Sequence, residues 1–169
     1  MLRWFGAILI IIGCGAVGFA MAAAHRREER CLRQFVDALE EMYSELQFRM
    51  TPLPELCRMI SASRNNTIGH IFRELSRELD RQINPEVSSC MYAVLAGDRS
   101  IPESLREGLQ LMGKSLGKYD LEGQLRGLES VKEYCHRWLE KLSANRDVRL
   151  RSYETLGLCA GAALAILLI

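Results

Sequence analysis

The sequence predicts an all-α fold, a helical bundle of about six helices between an N-terminal and a C-terminal membrane segment. Apolar residues recur three and four positions apart through the middle of the chain, which is the spacing of one helix face. Prolines, glycines and capping residues divide the middle into pieces of helical length. No piece has the apolar–polar alternation of a half-buried strand.

The two ends of the chain are apolar. Charged side chains are absent from residues 4–24 and 155–169, and all 21 acidic residues lie between these segments. As a helix, residues 4–24 reach about 31 Å, the thickness of the hydrocarbon layer. We therefore divide the chain into an N-terminal transmembrane anchor (1–24), a helical-bundle domain (25–154) and a short C-terminal membrane segment (155–169).

Two alternatives stay open for the ends. Residues 1–24 also fit a cleaved signal peptide, because small residues follow the apolar run. The apolar part of 155–169 reaches only about 21 Å, so a packing or re-entrant segment competes with a thin span. The spacing of Gly157 and Gly161 suits close helix pairing, although an Ala/Gly-rich run gives such spacing by chance.

Arginines predict the orientation of the domain. Positive side chains beside a membrane segment favour the cytoplasmic side. They cluster after the first apolar segment and before the second, so residues 25–154 are predicted to face the cytoplasm. The clustered residues are Arg26, Arg27, Arg30, Arg33, Arg146, Arg149 and Arg151.

The first three predicted helices have clear boundaries. The first continues from the N-terminal segment and ends before "TPLPE", where Thr51 is the predicted N-cap and Pro52 the first-turn proline of a short second helix. A loop at "SRNNT" separates it from an amphipathic third helix. Their apolar stripes are Leu32, Phe35, Val36, Leu39, Tyr43 and Leu46; Leu53, Leu56, Cys57 and Ile60; and Ile68, Ile71, Phe72, Leu75 and Leu79.

The last three helices are bounded in the same way. "NP" at 84–85 opens the fourth, and a capping box over Ser100–Glu103 opens the fifth. Gly117 ends the fifth helix and Asp120 caps the sixth, which no proline interrupts up to the C-terminal segment. The stripes are Val87, Met91, Val94 and Leu95; Leu105, Leu109, Met112 and Leu116; and Leu125, Leu128, Cys135, Leu139 and Leu142.

The string "GLQLMGKS" at 108–115 matches the P-loop pattern of nucleotide-binding proteins. A working P-loop connects a strand to a helix and turns its backbone N–H groups toward phosphates. Here Leu109 and Met112 belong to the apolar stripe of a helix that began upstream. The alternating strands and helices of a nucleotide-binding fold are also missing. We predict no nucleotide site, which leaves a small membrane ATPase as the disfavoured reading.

No other pattern predicts catalysis or a cofactor. The middle of the chain carries almost no net charge, which argues against nucleic acid. His25 and His70 are isolated, and His136 follows Cys135, which points to another side of the same helix. The cysteines lack metal spacing and are predicted to be buried free thiols. We expect no enzyme activity, cofactor, metal or small-molecule substrate. The cysteines of the domain are Cys31, Cys57, Cys90 and Cys135.

The stretches "TPLPE" and "LGKYDLEGQ" resemble the stage III sporulation protein AB family of endospore-forming bacteria. The order of an apolar N-terminus, a helical domain and a short apolar C-terminus is also similar, so the likeness covers nearly the whole chain. One departure is Cys90, in a helix where family members often carry tryptophan. The matching residues are Thr51, Pro52, Leu53, Leu116, Gly117, Asp120 and Gln124.

The resemblance implies a role in the membrane machinery between mother cell and forespore. It implies a non-enzymatic platform at the mother-cell or outer forespore membrane, with a secretion-type ATPase and other stage III sporulation channel proteins as partners. Homo-oligomerisation is left open. The family also resembles the cytoplasmic helical domains of F-type platform proteins, so a type II secretion or type IV pilus system outside sporulation is the alternative. The motif residues either shape helix turns or dock a partner.

Overall fold

The computed structural model describes the backbone of residues 2–81, 86–98, 100–117 and 120–168. Side chains are described for residue 20 and for 23–144 within those ranges. The described backbone forms six helices and no strand, which confirms the all-α prediction. The helices are α1 (Leu2–Arg49), α2 (Leu53–Ala62), α3 (Thr67–Arg81), α4 (Val87–Ala96), α5 (Glu103–Ser115) and α6 (Leu121–Leu168).

The chain divides into two compact units. One comprises Met1–Glu29 and Glu140–Ile169, and the other comprises Arg30–Leu139. Within the described residues, no helix is both long enough and apolar enough to cross a membrane. The predicted membrane segments at 1–24 and 155–169 fall almost entirely on residues whose side chains lie outside the description. The division into anchor, domain and C-terminal segment therefore stays a prediction.

The first and last helices are long and continuous. Each is 48 residues in length, and each runs from the bundle into one of the apolar ends without a break. The sequence predicts this continuity, because no proline lies inside either helix.

The core of the Arg30–Leu139 unit contains most residues of the predicted stripes, and half-buried positions on α1 to α4 are Tyr43, Leu53, Leu79 and Val94. On α6 the prediction is wrong in part, because Leu125, Leu139 and Leu142 are half-buried and Val131 takes a buried place beside Leu128. Residues 128, 131 and 135 share one helix face, and the stripe leaves the core where α6 reaches the edges of the unit. The largest fully buried side chains include Leu32, Phe35, Leu39, Met42, Leu56, Ile60, Ile68, Ile71, Phe72, Leu75, Met91 and Leu95.

Two predicted helix starts are wrong in their capping. Pro52, not Thr51, is the N-cap of α2, and no side chain caps that helix. Likewise Pro102 is the N-cap of α5, so the predicted capping box at Ser100 does not form. Both prolines have extended ψ values, of 140° and 145°, and their carbonyls accept the first helical hydrogen bonds. The fixed φ of proline suits either the N-cap or the next position, so ψ decides between them.

Helices α2 to α5 contact one another in chain order. Arg58, in the middle of α2, lies 3.4 Å from Asp80 near the end of α3, and Gly69 near the start of α3 lies against Arg64, just after the end of α2. The start of α4 contacts the end of α5, because Val87 lies against Gly117. Helices α2 and α3 are therefore antiparallel, and so are α4 and α5.

Candidate functional site

The turn between α5 and α6 contains the second resemblance motif. Leu116 is fully buried, and its N–H donates to the Met112 carbonyl at 3.1 Å. Gly117 has φ of +78°, the left-handed conformation predicted for it. A Cβ on Gly117 would stand 2.7 Å from Cγ2 of Val87. Glycine is thus required here both by the backbone and by the close approach of α4.

Asp120 caps α6 as predicted. Its Oδ1 accepts the N–H of Gly123 at 3.0 Å, and its carbonyl accepts the N–H of Gln124 at 3.0 Å. Asp120 is exposed and Gln124 is half-buried. The motif residues of this turn therefore have a local structural role, and Asp120 also presents a carboxylate edge to solvent.

The turn between α1 and α2 contains the first motif. Met50 has φ of +50°, which makes it the only non-glycine residue with positive φ in the described backbone. Glu45 of α1 forms an ion pair with Arg49 at 3.3 Å, within the same helix. Its carboxylate also accepts the Thr51 hydroxyl at 3.4 Å, which connects the turn to α1. The Thr51 side chain therefore contacts Glu45 of α1 and does not cap α2. Pro52 is exposed, and Leu53 is half-buried.

Two apolar side chains project from this turn. Phe48 is 79% exposed and Met50 is 71% exposed, the highest values among large apolar residues in the described part of the chain. Neither was among the predicted site residues. A signal for Phe48 was available, since it lies two positions after Leu46, off the face of the α1 stripe.

Contacts between α1 and α6 place the two turns at one end of the domain. Lys132 of α6 lies 3.8 Å from Glu40 and 5.8 Å from the ring centre of Tyr43. Earlier in α1, Phe35 lies against Gly108 of α5, and Cys135 of α6 lies against the same glycine, so residue numbers rise in α1 as they fall in α6. From Glu40 to Met50 is about 15 Å, and from Lys132 back to the start of α6 is about 16 Å.

Both turns thus lie together at the end of the Arg30–Leu139 unit that is opposite its terminal residues. We call this region the motif end. It consists of the α1–α2 turn, residues 48–53, and the α5–α6 turn, residues 116–124 without the undescribed 118–119. It combines seven motif residues with two exposed apolar side chains, Phe48 and Met50, of which Met50 has a left-handed backbone.

The P-loop-like string lies inside α5, as predicted. Its N–H groups belong to helical turns, so they do not converge on a phosphate site. Gly108 and Gly113 are buried against neighbouring helices, and Lys114 is exposed.

The cysteines of the domain are free and buried, as predicted. Burial raises the pKa of Cys57 and that of Cys135 from 9.0 to about 12 each. His136 is exposed while Cys135 is buried, so the two do not form a nucleophile–base pair. His70 is exposed on α3. No group of three or more His, Cys, Asp or Glu residues within the described ranges is placed to hold a metal ion.

Comparison with known proteins agrees with the resemblance. The family model for stage III sporulation protein AB matches residues 3–169. The stage III sporulation protein AB of Bacillus subtilis (strain 168) is 25% identical over 173 residues, which cover 99% of each chain. A solved structure of a stage III sporulation protein AB superimposes with a TM-score of 0.62 at 19% identity, over 72% of this chain and 98% of that one. The last comparison shows that the fold is shared.

Proposed function

Because the chain belongs to the stage III sporulation protein AB family, we propose that it is a membrane-anchored platform of a sporulation complex and docks a secretion-type ATPase through the motif end. The family description names a stage of sporulation and no catalytic activity. A non-enzymatic role fits this description. Family membership also favours sporulation over a secretion or pilus system elsewhere in the cell.

The observation that carries the docking role is the exposure of Phe48 and Met50. Large apolar side chains are costly to leave in water, and their clustering on a soluble surface commonly marks an interaction site. Met50 also holds a left-handed backbone that costs a non-glycine residue roughly 1–2 kcal/mol. Strain of this kind concentrates where structure serves binding. Together, the two residues offer an anchor that a partner's apolar pocket would bury.

The position of the motif end supports the same role. It lies at the end of the domain that is away from Arg30 and Leu139. At those two residues, α1 and α6 continue out of this unit. The arginines beside the apolar segments predict that the domain faces the cytoplasm at the mother-cell or outer forespore membrane. There it can meet an ATPase, while the membrane segments can meet other stage III channel proteins.

Capture of the sporulation ATPase from detergent-solubilised membranes tests the docking role. We expect Phe48→Ser to weaken capture and to lower the yield of heat-resistant spores without changing the amount of folded protein. Leu111→Ser is the matched control, because Leu111 is 39% exposed on α5 and lies outside the motif end. Equal capture by the Phe48 variant, the control and the wild type would refute docking through this end.

A further inference from the structure

Met50 is the one exposed methionine among those whose side chains the structure describes. It is 71% exposed, whereas Met42, Met91 and Met112 are fully buried. Met59, on α2, is half-buried. The thioether of Met50 is therefore the methionine sulfur that is most open to a dissolved oxidant.

The backbone of the α1–α2 turn sets this exposure. Met50 directly follows α1 and has φ of +50°, which turns its side chain out of the apolar stripe. On the next residue, the Thr51 hydroxyl donates to Glu45 of α1 at 3.4 Å. Pro52 follows with φ of −58°, and a residue before proline is confined to extended conformations. The chain is held on both sides of Met50, so its exposure follows from the backbone and not from one side-chain rotamer.

The cysteine sulfurs of the domain compete poorly for the same oxidant. The thiolate is the reactive form of cysteine, and it reacts only where the oxidant can reach it. The four cysteines of the domain are buried. Burial raises the pKa of Cys57 and that of Cys135 to about 12 each. A mild oxidant near neutral pH therefore meets Met50 as the most accessible sulfur in the described part of the chain.

Hydrogen peroxide oxidises a thioether in a single two-electron step. A lone pair of the sulfur attacks one peroxide oxygen, the O–O bond breaks, and a sulfur–oxygen bond forms. The departing hydroxide takes the proton of the transferred oxygen and leaves as water. Methionine and hydrogen peroxide thus give methionine sulfoxide and water, with the sulfur oxidised and the peroxide reduced. Because peroxide is small and uncharged, access to the sulfur controls the reaction and local charge does not.

We propose that Met50 is a reversible oxidation site, at which hydrogen peroxide converts the thioether to the sulfoxide and so weakens docking at the motif end. The effect on docking rests on the proposed function, in which Phe48 and Met50 enter an apolar pocket of the partner. A sulfoxide is polar, and it disrupts interfaces that bury methionine. Loss of the burial of one such side chain weakens binding about tenfold. Methionine sulfoxide reductases restore the thioether, which makes the change reversible.

Peptide mapping of the full chain in detergent tests the site. The purified protein is treated with increasing hydrogen peroxide, digested, and analysed by mass spectrometry for peptides that have gained oxygen. We expect sulfoxide to form at Met50 before Met59, and at the buried Met42, Met91 and Met112 last. Methionine sulfoxide reductases should then remove the oxygen from Met50 in the folded protein. Oxidation of any of the other four as fast as Met50 would overturn the assignment.

Capture of the sporulation ATPase tests the consequence for docking. Only this chain is oxidised, and the peroxide is removed before the ATPase is added. We expect oxidation to lower wild-type capture about tenfold and the reductases to restore it. Met50→Leu keeps the size and apolar character without the sulfur, so its capture should survive peroxide. Met59→Leu is the matched control, and its capture should fall with peroxide as in the wild type. Met50→Gln, which is polar, should capture poorly even without peroxide.

Phe48→Ser without peroxide reports on docking alone and separates the two possible failures. Suppose that Phe48→Ser weakens capture while the oxidised wild type captures normally, or that peroxide lowers capture by Met50→Leu as much as by the wild type. Either result refutes the effect of oxidation and leaves docking in place. Capture by Phe48→Ser at the wild-type level instead refutes docking at the motif end, and with it the effect of Met50 oxidation on docking.

Discussion

Replacement of Gly117 tests whether the α5–α6 motif turn is needed for the fold. In Gly117→Ala, the left-handed backbone at φ +78° should cost about 1–2 kcal/mol. The new Cβ would lie 2.7 Å from Cγ2 of buried Val87, and overpacking of this kind costs about 1–3 kcal/mol. Reduced freedom of the unfolded chain returns about 0.4–1 kcal/mol. We expect a net loss of about 1–4.5 kcal/mol, which corresponds to a fall in Tm of roughly 2–18 °C.

Thermal unfolding of the full chain in detergent, followed by far-ultraviolet circular dichroism, measures this loss. Two further variants separate its causes. Gly117→Asn tolerates the left-handed backbone but keeps the collision, so it should lose less than alanine. In a Val87→Ala background the collision is removed, so Gly117→Ala should then cost at least about 1 kcal/mol less. A Gly117→Ala protein within about 0.5 kcal/mol of wild type would refute this reasoning. If that stable variant also lost ATPase capture, the shape of the turn would be needed for docking and not for stability.

Substitutions in the P-loop-like string are expected to have opposite effects in a packed helix and in a nucleotide site. Lys114→Ala should leave the Tm unchanged. Gly113→Ala should lower the Tm, because the new Cβ would stand 3.0 Å from Cβ of Met91 on α4. A wild-type Tm that rises on addition of Mg-ATP would contradict the helical interpretation. Orientation cannot be tested at Cys31, which is buried, so exposed Ser130→Cys should react with an impermeant maleimide only after permeabilisation. Reaction in intact cells would reverse the predicted topology. Burial raises the pKa of Cys57 from 9.0 to about 12, so the unfolded thiol ionises first and stability should fall as pH rises from about 9 toward 12. Cys57→Ala should flatten this decline, and an unchanged slope would count against it.

Much of the fold could be predicted because its signals are local. Apolar spacing, prolines and the pair Gly117 and Asp120 each act within one or two helical turns, and the structure bears these out. The capping of α2 and α5 is less certain from sequence, because proline at Pro52 or Pro102 fits two adjacent positions. Only the ψ angle of the proline distinguishes the N-cap from the first helical position, and ψ depends on the contacts of the preceding turn. At α2 one such contact joins the Thr51 hydroxyl to Glu45, six residues back.

The candidate site could be predicted only in part, because its assembly is tertiary. Sequence motifs identified the two turns separately, but nothing in their spacing says that residues 50 and 120 share one end of a bundle. That result needs the antiparallel pairing of α1 with α6, which follows from Lys132 beside Glu40 together with Phe35 and Cys135 beside Gly108. The exposure of Met50 is equally hidden, since an apolar residue after an apolar stripe normally reads as core. Its left-handed backbone turns it out of the stripe.

The false P-loop has a physical origin in the packing of α5. Gly108 allows the ring of Phe35 to come within 3.1 Å of where a Cβ would be, and Gly113 allows Met91 to approach as closely on another side. A helix in contact with neighbours on two sides needs small residues at both contacts, and here the contacts are five residues apart. The same spacing separates the glycines of a P-loop, where they serve a loop around phosphate. Lys114 and Ser115 follow at the last turn of α5, where a basic residue complements the helix dipole. Both glycines and Lys114 thus have a helical reason, and Gly113→Ala should damage the fold where the same change in a P-loop would damage nucleotide binding.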